Sequence, residues 1–530
     1  MVALLFFLVV WFFLPGHSGA AQAPQEQTLP PTVVTATRIE TPREQIATSI
    51  SVITDQNIQD QHAETVIEAL RNVPGVDVVG SGARGTTTGI FIRGSDKDQV
   101  LVLIDGVEVN SVTLGEFNFA HLTTDNIERV EVLRGAGGTL YGSQAIGGVV
   151  NVITKKGTGP AELTLSAEGG NWQTNHQAVA LRGSIEKLGY SLTFSHIGTD
   201  GFHRRFPGGA EKSNDDYTNL SSSARLDYKL TNDSNLTGIF HFIGTKLGLF
   251  NSNNFVAGVG DPNARENIHQ YVAKLEWQQK ILPAWDYRVS GSFFKENITD
   301  SDDVDSCIVF GFPCDSRSRA RFRPQIATAE FQTNYRLGEW STSTFGVEFK
   351  RRKASTSSSS DGFDFGGIDR AIRNMGYYFE EQLRFFEDRL ILIPGVRLDD
   401  HQTFGTEWSP SFSAAYLFKE TNTKLKSGYS EGFKAPTLNE LFFPSSDPRC
   451  PSFGNPNLGP EKSWELNAGF EQKFLNDRIF VEGTYFHREV RDLIGFAPVA
   501  QGGCPFVPSQ AANLGTARFD GVEWALRLQI

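Results

Sequence analysis

In Phe480-Val481-Glu482-Gly483-Thr484-Tyr485, Val481 and Tyr485 fall on one face of an extended chain and Glu482 and Thr484 on the other. Leu163, Leu165 and Ala167 share one face in the same way. Successive side chains of a strand point to opposite sides, so this period of two marks strands with one apolar and one polar face. Working outward, the same pattern predicts strands at 161–169, 174–185, 189–199, 218–229, 234–247, 267–281, 285–299, 322–336, 340–352, 372–387, 389–401, 407–418, 422–433, 461–474, 478–491 and 510–529. The connections carry a second signal. Glu186-Lys187-Leu188, Thr231-Asn232-Asp233, Leu282-Pro283-Ala284, Asp388 and Leu475-Asn476-Asp477 are tight. Between them lie the long segments 200–217, 248–266, 300–321, 353–371, 434–460 and 492–509. The Ser355–Ser360 run inside one of them reads as a flexible loop tip.

Strands of this length, joined alternately by short turns and long loops, are the pattern of a transmembrane antiparallel β-barrel. Composition agrees. The chain has 530 residues, with 39% apolar, 21% charged, 52 Gly and 41 Phe. Its mean hydropathy of -0.27 is too polar for a bundle of membrane helices. A net charge of -12 with no long basic run argues against nucleic acid as a partner. No His-Glu-x-x-His occurs and the ten His are scattered, so no enzyme is expected. A passive porin is the rival from another class.

Val2 to Leu14 (VALLFFLVVWFFL) is continuously apolar and too short to span a bilayer, as in a signal peptide. Pro15 and Gly16 break it, and small residues at Ala20, Ala21 and Ala23 offer cleavage sites. No Lys or Arg precedes the apolar core. From about 46 to 157 the pattern mixes helix and strand. A helix is expected at 63–72 and strands at 76–79, 89–93, 100–104, 127–134 and 148–154. Thr54 can cap a further short helix, with Asn57 three residues on. Gly135, Gly137 and Gly138 lack the Gly-Lys-Ser/Thr of a phosphate loop and read as glycines for turns and close packing.

Several stretches carry a resemblance. They are Val33-Val34-Thr35-Ala36, Val102-Leu103-Ile104-Asp105-Gly106-Val107, Ile127-Glu128-Arg129-Val130-Glu131-Val132-Leu133-Arg134-Gly135, and the run from Leu140-Tyr141-Gly142-Ser143 to Asn151-Val152-Ile153-Thr154. They resemble the plug domain of TonB-dependent outer-membrane receptors, and the likeness continues into the barrel. The resemblance implies a signal peptide at 1–23, a periplasmic leader at 24–45, a plug at 46–157 and a barrel at 158–530. About sixteen strands are legible, whereas transporters of this kind close at about 22, so a C-terminally incomplete barrel is expected. Residues 32–38, with Thr32, Val33, Val34, Thr35 and Ala36 at their heart, look like the energy-coupling box. Such an extended segment can add as a strand to the periplasmic TonB protein. Arg93, Glu131 and Arg134 are charges in otherwise apolar strands. The resemblance implies that they pair with barrel carboxylates.

The family implies energised import of a large, scarce ligand. Motifs around Phe433-Lys434-Ala435-Pro436, Asn439-Glu440-Leu441, Asn455-Pro456-Asn457-Leu458 and Pro460-Glu461-Lys462-Ser463 occur in order, but no His lies between 432 and 463, which disfavours haem. The plug is most similar to that of the cobalamin receptors, so a corrinoid is the expected ligand and a ferric siderophore the alternative. Plug segments 80–89 and 110–118 offer Ser81, Thr86, Asn110, Ser111 and Asn118 to the ligand's amides. Arg204, Arg205, Arg317 and Arg319 would suit an anionic siderophore or lipopolysaccharide phosphates in the outer membrane. Calcium is a secondary expectation, at Asp215, Asp216 and Asp261, with no other cofactor. The four cysteines all fall in long loops of an exported chain and suggest the disulfides Cys307–Cys314 and Cys450–Cys504.

Overall fold

A computed structural model describes residues 33–34, 38–201, 203–204, 213–249, 264–304, 308–309, 312–313, 317–445, 450, 452–475, 478–499, 504 and 507–528. The alternating segments form one seventeen-stranded sheet in which strands follow one another in chain order. One member, Phe363–Asp364, is only two residues long, so sixteen long strands remain. Glu162–Gly169 stands at one end of the strand order and Ser509–Leu528 at the other. The long pairs are antiparallel, as tight turns between consecutive strands require.

Side-chain burial follows the period of two. On Ser341–Ser360, Thr344, Glu348, Lys350 and Arg352 are buried, while Phe345 and Phe349 between them are 43% and 38% exposed. Tyr377, Phe379, Trp408 and Phe412 face outward on other strands. The apolar faces thus form an outer belt and the polar faces line the lumen, the arrangement of a barrel in lipid. Among the described residues no helix is long and apolar enough to cross a membrane.

The strand Ser341–Ser360 corrects the reading of its serine tip. Ser355, Ser357 and Ser359 continue the ladder opposite Arg323, Arg321 and Arg319. Pairing with a long neighbour supplies the backbone hydrogen bonds that a serine-rich segment would otherwise give to water.

The N-terminal domain fills the lumen. Its sheet runs Ile50–Thr54, Ile127–Arg134, Gly148–Thr154, Val100–Ile104, Val107–Glu108, with Val100–Ile104 parallel to Gly148–Thr154. A separate hairpin pairs Val76–Gly80 with Thr88–Ile92. Thr54 and Asn57 close a capping box on the helix Asp55–Asp60. The predicted helix at 63–72 is the shorter Val66–Leu70. The domain's apolar core, including Ile92, Val102, Val130 and Val150, is continuous with the barrel-wall residues Ile243, Val272, Phe294, Ile326 and Ile372. The two parts therefore bury one shared core. Gly138 shows how closely they approach, since a Cβ there would lie 2.8 Å from the Gly432 backbone. That is the packing role assigned to the glycine run.

Candidate functional site at the plug and barrel seam

Charged side chains of the inner domain meet those of the surrounding wall in separate knots. In the first, Arg93 gives a two-pronged pair to Glu523, Nε to Oε1 at 2.9 Å and Nη2 to Oε2 at 2.8 Å, and also pairs with Glu465. Arg134 donates to the same Glu523 at 2.8 Å and to Glu482 at 3.0 Å. Lys426 closes the far side of Glu482 at 2.9 Å. Burial works against the charge of Arg93, but the Glu465 and Glu523 carboxylates outweigh it and hold its guanidinium above the usual range. Glu131 is buried as well and pairs with Arg129 of its own strand at 2.8 Å.

The second knot sits at the entry of the leader. Val33–Val34 folds back antiparallel on Thr41–Pro42. Arg38 lies in the connection with φ of 56°, a left-handed conformation suited to a turn. Its guanidinium is sandwiched between the rings of Tyr141, at 5.1 Å, and Tyr378, at 4.8 Å. It pairs with Glu330 and, at 3.3 Å, with Glu348. Burial opposes its charge, and Glu330 first, then Tyr378 and Glu348, outweigh it and hold its guanidinium well above the usual range. A cavity of about 1280 Å³ opens beside it, lined by the leader, by Asp105 and Glu108, and by the tight turns near Lys187, Asn232 and Pro283.

Two further contacts tie the domain to the wall. Asp105 and Gly106, with φ of 50° and 79°, make the tight turn after Val100–Ile104. Asp105 accepts from Thr154 at 2.7 Å and meets His241 at 3.0 Å, while Lys274 binds its carbonyl at 3.1 Å. Burial pushes its carboxyl up, but His241, Arg225 and Thr154 prevail and hold it below the usual carboxylate range. On the long-loop side Lys434 binds Asp98 at 2.7 Å and Glu461 at 3.1 Å. Thr437 and Glu440 cap the helix Leu438–Phe442. Lys434, Glu440 and Glu461, from the motifs weighed for haem, are thus held in ion pairs or a helix cap.

Comparison with known proteins agrees with this architecture. A model of the TonB-dependent receptor plug domain matches residues 42–149, and one of the TonB-dependent receptor-like β-barrel matches 198–529. The chain is a TonB-dependent receptor. It is 28% identical over 493 residues to the vitamin B12 transporter BtuB of Photobacterium profundum, covering 92% of this chain and 73% of that protein. A vitamin B12 transporter BtuB of Vibrio vulnificus (strain YJ016) is 27% identical over 522 residues, covering 94% and 76%. In solved structures, a variant of the ferric enterobactin receptor PfeA of Pseudomonas aeruginosa superposes with a TM-score of 0.73 at 22% identity, covering 93% of this chain and 79% of that one. The siderophore receptor PirA of Acinetobacter baumannii gives 0.69 at 21%, covering 91% and 78%. At such identity the solved structures speak for the fold alone.

Of the receptor's anticipated ligand contacts, two belong to the plug's own scaffold. Asn110 is 1% exposed, and its amide accepts from Val102 N at 2.7 Å and donates to Val100 O and Gly115 O. Asn118 accepts from Thr88 N at 3.0 Å and from Ala120 N at 3.1 Å. These amides fix loops and have little left for a ligand. Ser111 is buried against Thr113 at 2.9 Å. Ser81 is exposed and Thr86 half-buried at the plug's outer hairpin, where both bond locally to carbonyls.

The calcium expectation rests on three aspartates, of which Asp215 and Asp216 are described. Among the described residues no group of three or more His, Cys, Asp or Glu could hold a metal. Asp216 faces Arg265 at 3.7 Å, a cation where calcium would need another oxygen. Asp215 is buried at the same loop, and Asp261 lies outside the described residues. Cys450 and Cys504 are bonded across 54 residues, while Cys307 and Cys314 lie outside the description. Of the coupling box at 32–38, Val33, Val34 and Arg38 are described; Thr32, Thr35, Ala36 and Thr37 are not. One stretch, Gly428-Tyr429-Ser430-Glu431-Gly432, has the spacing of a hydrolase nucleophile elbow. It runs straight within the strand Thr423–Lys434 instead of turning into a helix, so it builds no such site.

Sequence reasoning missed Arg38, Asp105 and Lys434 as seam residues. Arg38 could have been found as the lone cation closing a β-prone run before a proline. Lys434 and Asp105 carry no local signal, because their partners are remote in sequence.

Proposed function

We propose that this receptor imports a corrinoid across the outer membrane and draws energy from the periplasmic TonB protein. The observation that carries the ligand is the similarity to vitamin B12 transporters over nearly the whole chain. The observation that supports the coupling is the leader hairpin. Residues 32–38 end in Arg38, which is joined through Tyr141 to the plug and through Glu330 and Glu348 to the barrel. A partner strand that takes up Val33–Val34 pulls first on that guanidinium, and through Tyr141 on the plug.

Titration of the protein with cyanocobalamin and with a panel of ferric siderophores tests the ligand. Saturable corrinoid binding is expected; siderophore binding without corrinoid binding would replace the reading with its alternative. Val34→Pro tests the coupling. A proline removes a strand hydrogen-bond donor, so ligand binding should persist while uptake stops. Unimpaired uptake would remove the coupling role from residues 32–38, and uptake without a proton-motive force would return the porin.

A further inference from the structure

We propose that Arg488 is a stand-in counter-ion: as the plug yields, it takes over the Glu465 carboxylate that Arg93 gives up. The inference rests on the reading that a pull on the leader displaces the plug, and it names the wall residue that lets the first knot open. Arg488 differs from the other cations around that knot. It is 0% exposed, and among the described residues it enters no ion pair with a carboxylate. Its Nη2 donates to the Arg93 carbonyl at 2.8 Å and its Nη1 to the Ile146 carbonyl at 3.3 Å, both on the plug. Its guanidinium lies over the Phe519 ring at 4.7 Å, and among the described residues its Nε has no hydrogen-bond partner. A buried charge answered by dipoles and a ring alone is unusual, because removal from water is normally offset by a paired carboxylate.

That carboxylate stands next to it. Glu461–Phe474, Ile479–Pro498 and Ser509–Leu528 are successive strands of the wall. In their ladders Glu465 is directly opposite Arg488 on one side, and Phe519 is directly opposite on the other. Directly opposite side chains have Cβ atoms about 5 Å apart, so a rotamer change brings a guanidinium onto its carboxylate neighbour. Glu465 is 0% exposed as well. Its Oε1 is held by Arg93 Nη1, and its Oε2 has no hydrogen-bond partner among the described residues. One plug residue therefore keeps the two apart. Arg93 occupies Glu465 with its guanidinium and Arg488 with its carbonyl oxygen. Its withdrawal frees both groups in one step, and Arg488 turns from Phe519 to Glu465.

Glu482 shows the completed form of this arrangement. Arg134 holds it from the plug at 3.0 Å, and Lys426 holds it from the wall at 2.9 Å. That carboxylate keeps a counter-ion when Arg134 leaves. Glu465 keeps one only if Arg488 moves. Without that movement, opening the knot strands a fully buried carboxylate, which is strongly unfavourable. Arg488 is thus a positioning residue for transport, acting through Glu465 and not through the ligand.

The test is a double-mutant cycle read by plug opening. The full chain is held in a lipid bilayer and pulled by the leader at constant load, with no ligand present, and the lifetime of the closed plug is recorded. Arg488→Gln also weakens the ties to the plug carbonyls, but that loss is shared by both backgrounds of the cycle. Glu465→Gln supplies the second background, in which residue 465 needs no counter-ion. The exchange is read as the effect of Arg488→Gln in the parent divided by its effect in Glu465→Gln. This ratio should show the closed lifetime lengthened about tenfold. Arg488→Lys, which keeps the charge, should restore most of the opening rate. Heat-modifiable migration on gels reports that each variant is folded. Should Arg488→Gln not fold, Arg488→Met, an apolar chain beside Phe519, goes through the same cycle. A ratio within about twofold of unity would overturn the proposal and leave Arg488 a plain tie to the plug. A parent plug that never opens under load would overturn the coupling reading first, and the exchange with it. An error in the ligand touches neither.

Discussion

The knots around Arg93 and around Arg38 use the same chemistry, buried arginines facing glutamates of the barrel wall, but they hang on different supports. Arg93 and Arg134 belong to the body of the plug. Arg134 lies in a strand of its sheet, and Arg93 directly follows the hairpin strand Thr88–Ile92. Arg38 hangs on a leader whose described ladder is only the two-residue pairing of Val33–Val34 with Thr41–Pro42. The difference teaches that ionic strength alone does not decide what moves. A salt bridge on a cooperative sheet opens only with that sheet, whereas the same bridge on a two-residue hairpin can open by itself. On this comparison the first knot is expected to hold the plug in place, and the second to open under a smaller load.

The largest effect should come from Glu523, which serves both plug arginines. Glu523→Ala leaves three donated hydrogen bonds without an acceptor and strips buried guanidinium charge of its counter-ion. Removing one partner of a buried ion pair costs about 3–5 kcal/mol. The urea concentration at which the plug becomes protease-sensitive should fall accordingly. A change below about 1 kcal/mol would mean that Glu465 and Glu482 suffice, and would erase the distinction between a fixed and a releasable knot.

A second effect sharpens the comparison, because one part of the fixed seam is built without ion pairs. His121 of the plug is 1% exposed. It stacks on Tyr217 at 5.9 Å, and its Nδ1 meets the Tyr217 hydroxyl at 3.3 Å. Burial with no facing carboxylate pushes its imidazole down to about 4. The folded state favours the neutral ring, so its contribution is full above the unfolded value near 6.5. It is lost as pH falls from there toward 4, by at most about 3 kcal/mol. Plug protection should weaken over that window in the wild type, and the His121→Gln variant should lose that component of the pH dependence. An identical profile in the variant would place the titration elsewhere.

Much of this was legible beforehand, for a physical reason. Barrel strands must alternate at every residue between lipid and lumen, so the period survives in sequence, and the observed Leu390–His401 and Glu461–Phe474 lie within a residue of the predicted 389–401 and 461–474. Arg93 and Arg134 stood out because a charge in an apolar strand needs a partner. The side-chain assignments at the outer loops were less legible. Asn110 and Asn118 have the composition of ligand contacts, but a short amide side chain can equally bond its own backbone, and sequence does not say which carbonyls come within reach. Asn110→Ala separates the scaffold role from the ligand role. It removes three hydrogen bonds inside the plug and should cost about 2 kcal/mol of plug stability, measured by the same protease assay. Ligand affinity at a temperature where the variant is folded should be unchanged. A large loss of affinity with stability intact would restore Asn110 to the ligand.

The smallest effect on stability, and the sharpest test of the comparison, is expected from Arg38→Ala. The substitution removes the cation from between Tyr141 and Tyr378 and leaves Glu330 and Glu348 facing each other's neighbourhood. Those carboxylates keep other partners. Glu348 still pairs with Lys350 at 3.1 Å and Arg397 at 2.9 Å, and Glu330 still accepts from the Tyr378 hydroxyl at 2.7 Å. They also border the large cavity, so water can reach them. Plug stability should therefore fall by less than the about 3–5 kcal/mol expected of removing a buried partner that has no substitute. The leader should respond strongly, because its hairpin keeps only the short ladder to Thr41–Pro42. A cysteine placed at Val34 should react several times faster with a water-soluble thiol reagent in the Arg38→Ala background than in the parent carrying the same cysteine. If labelling is unchanged, Arg38 does not restrain the leader. If the plug loosens as much as in Glu523→Ala, the two knots are one cooperative unit and the contrast between them fails.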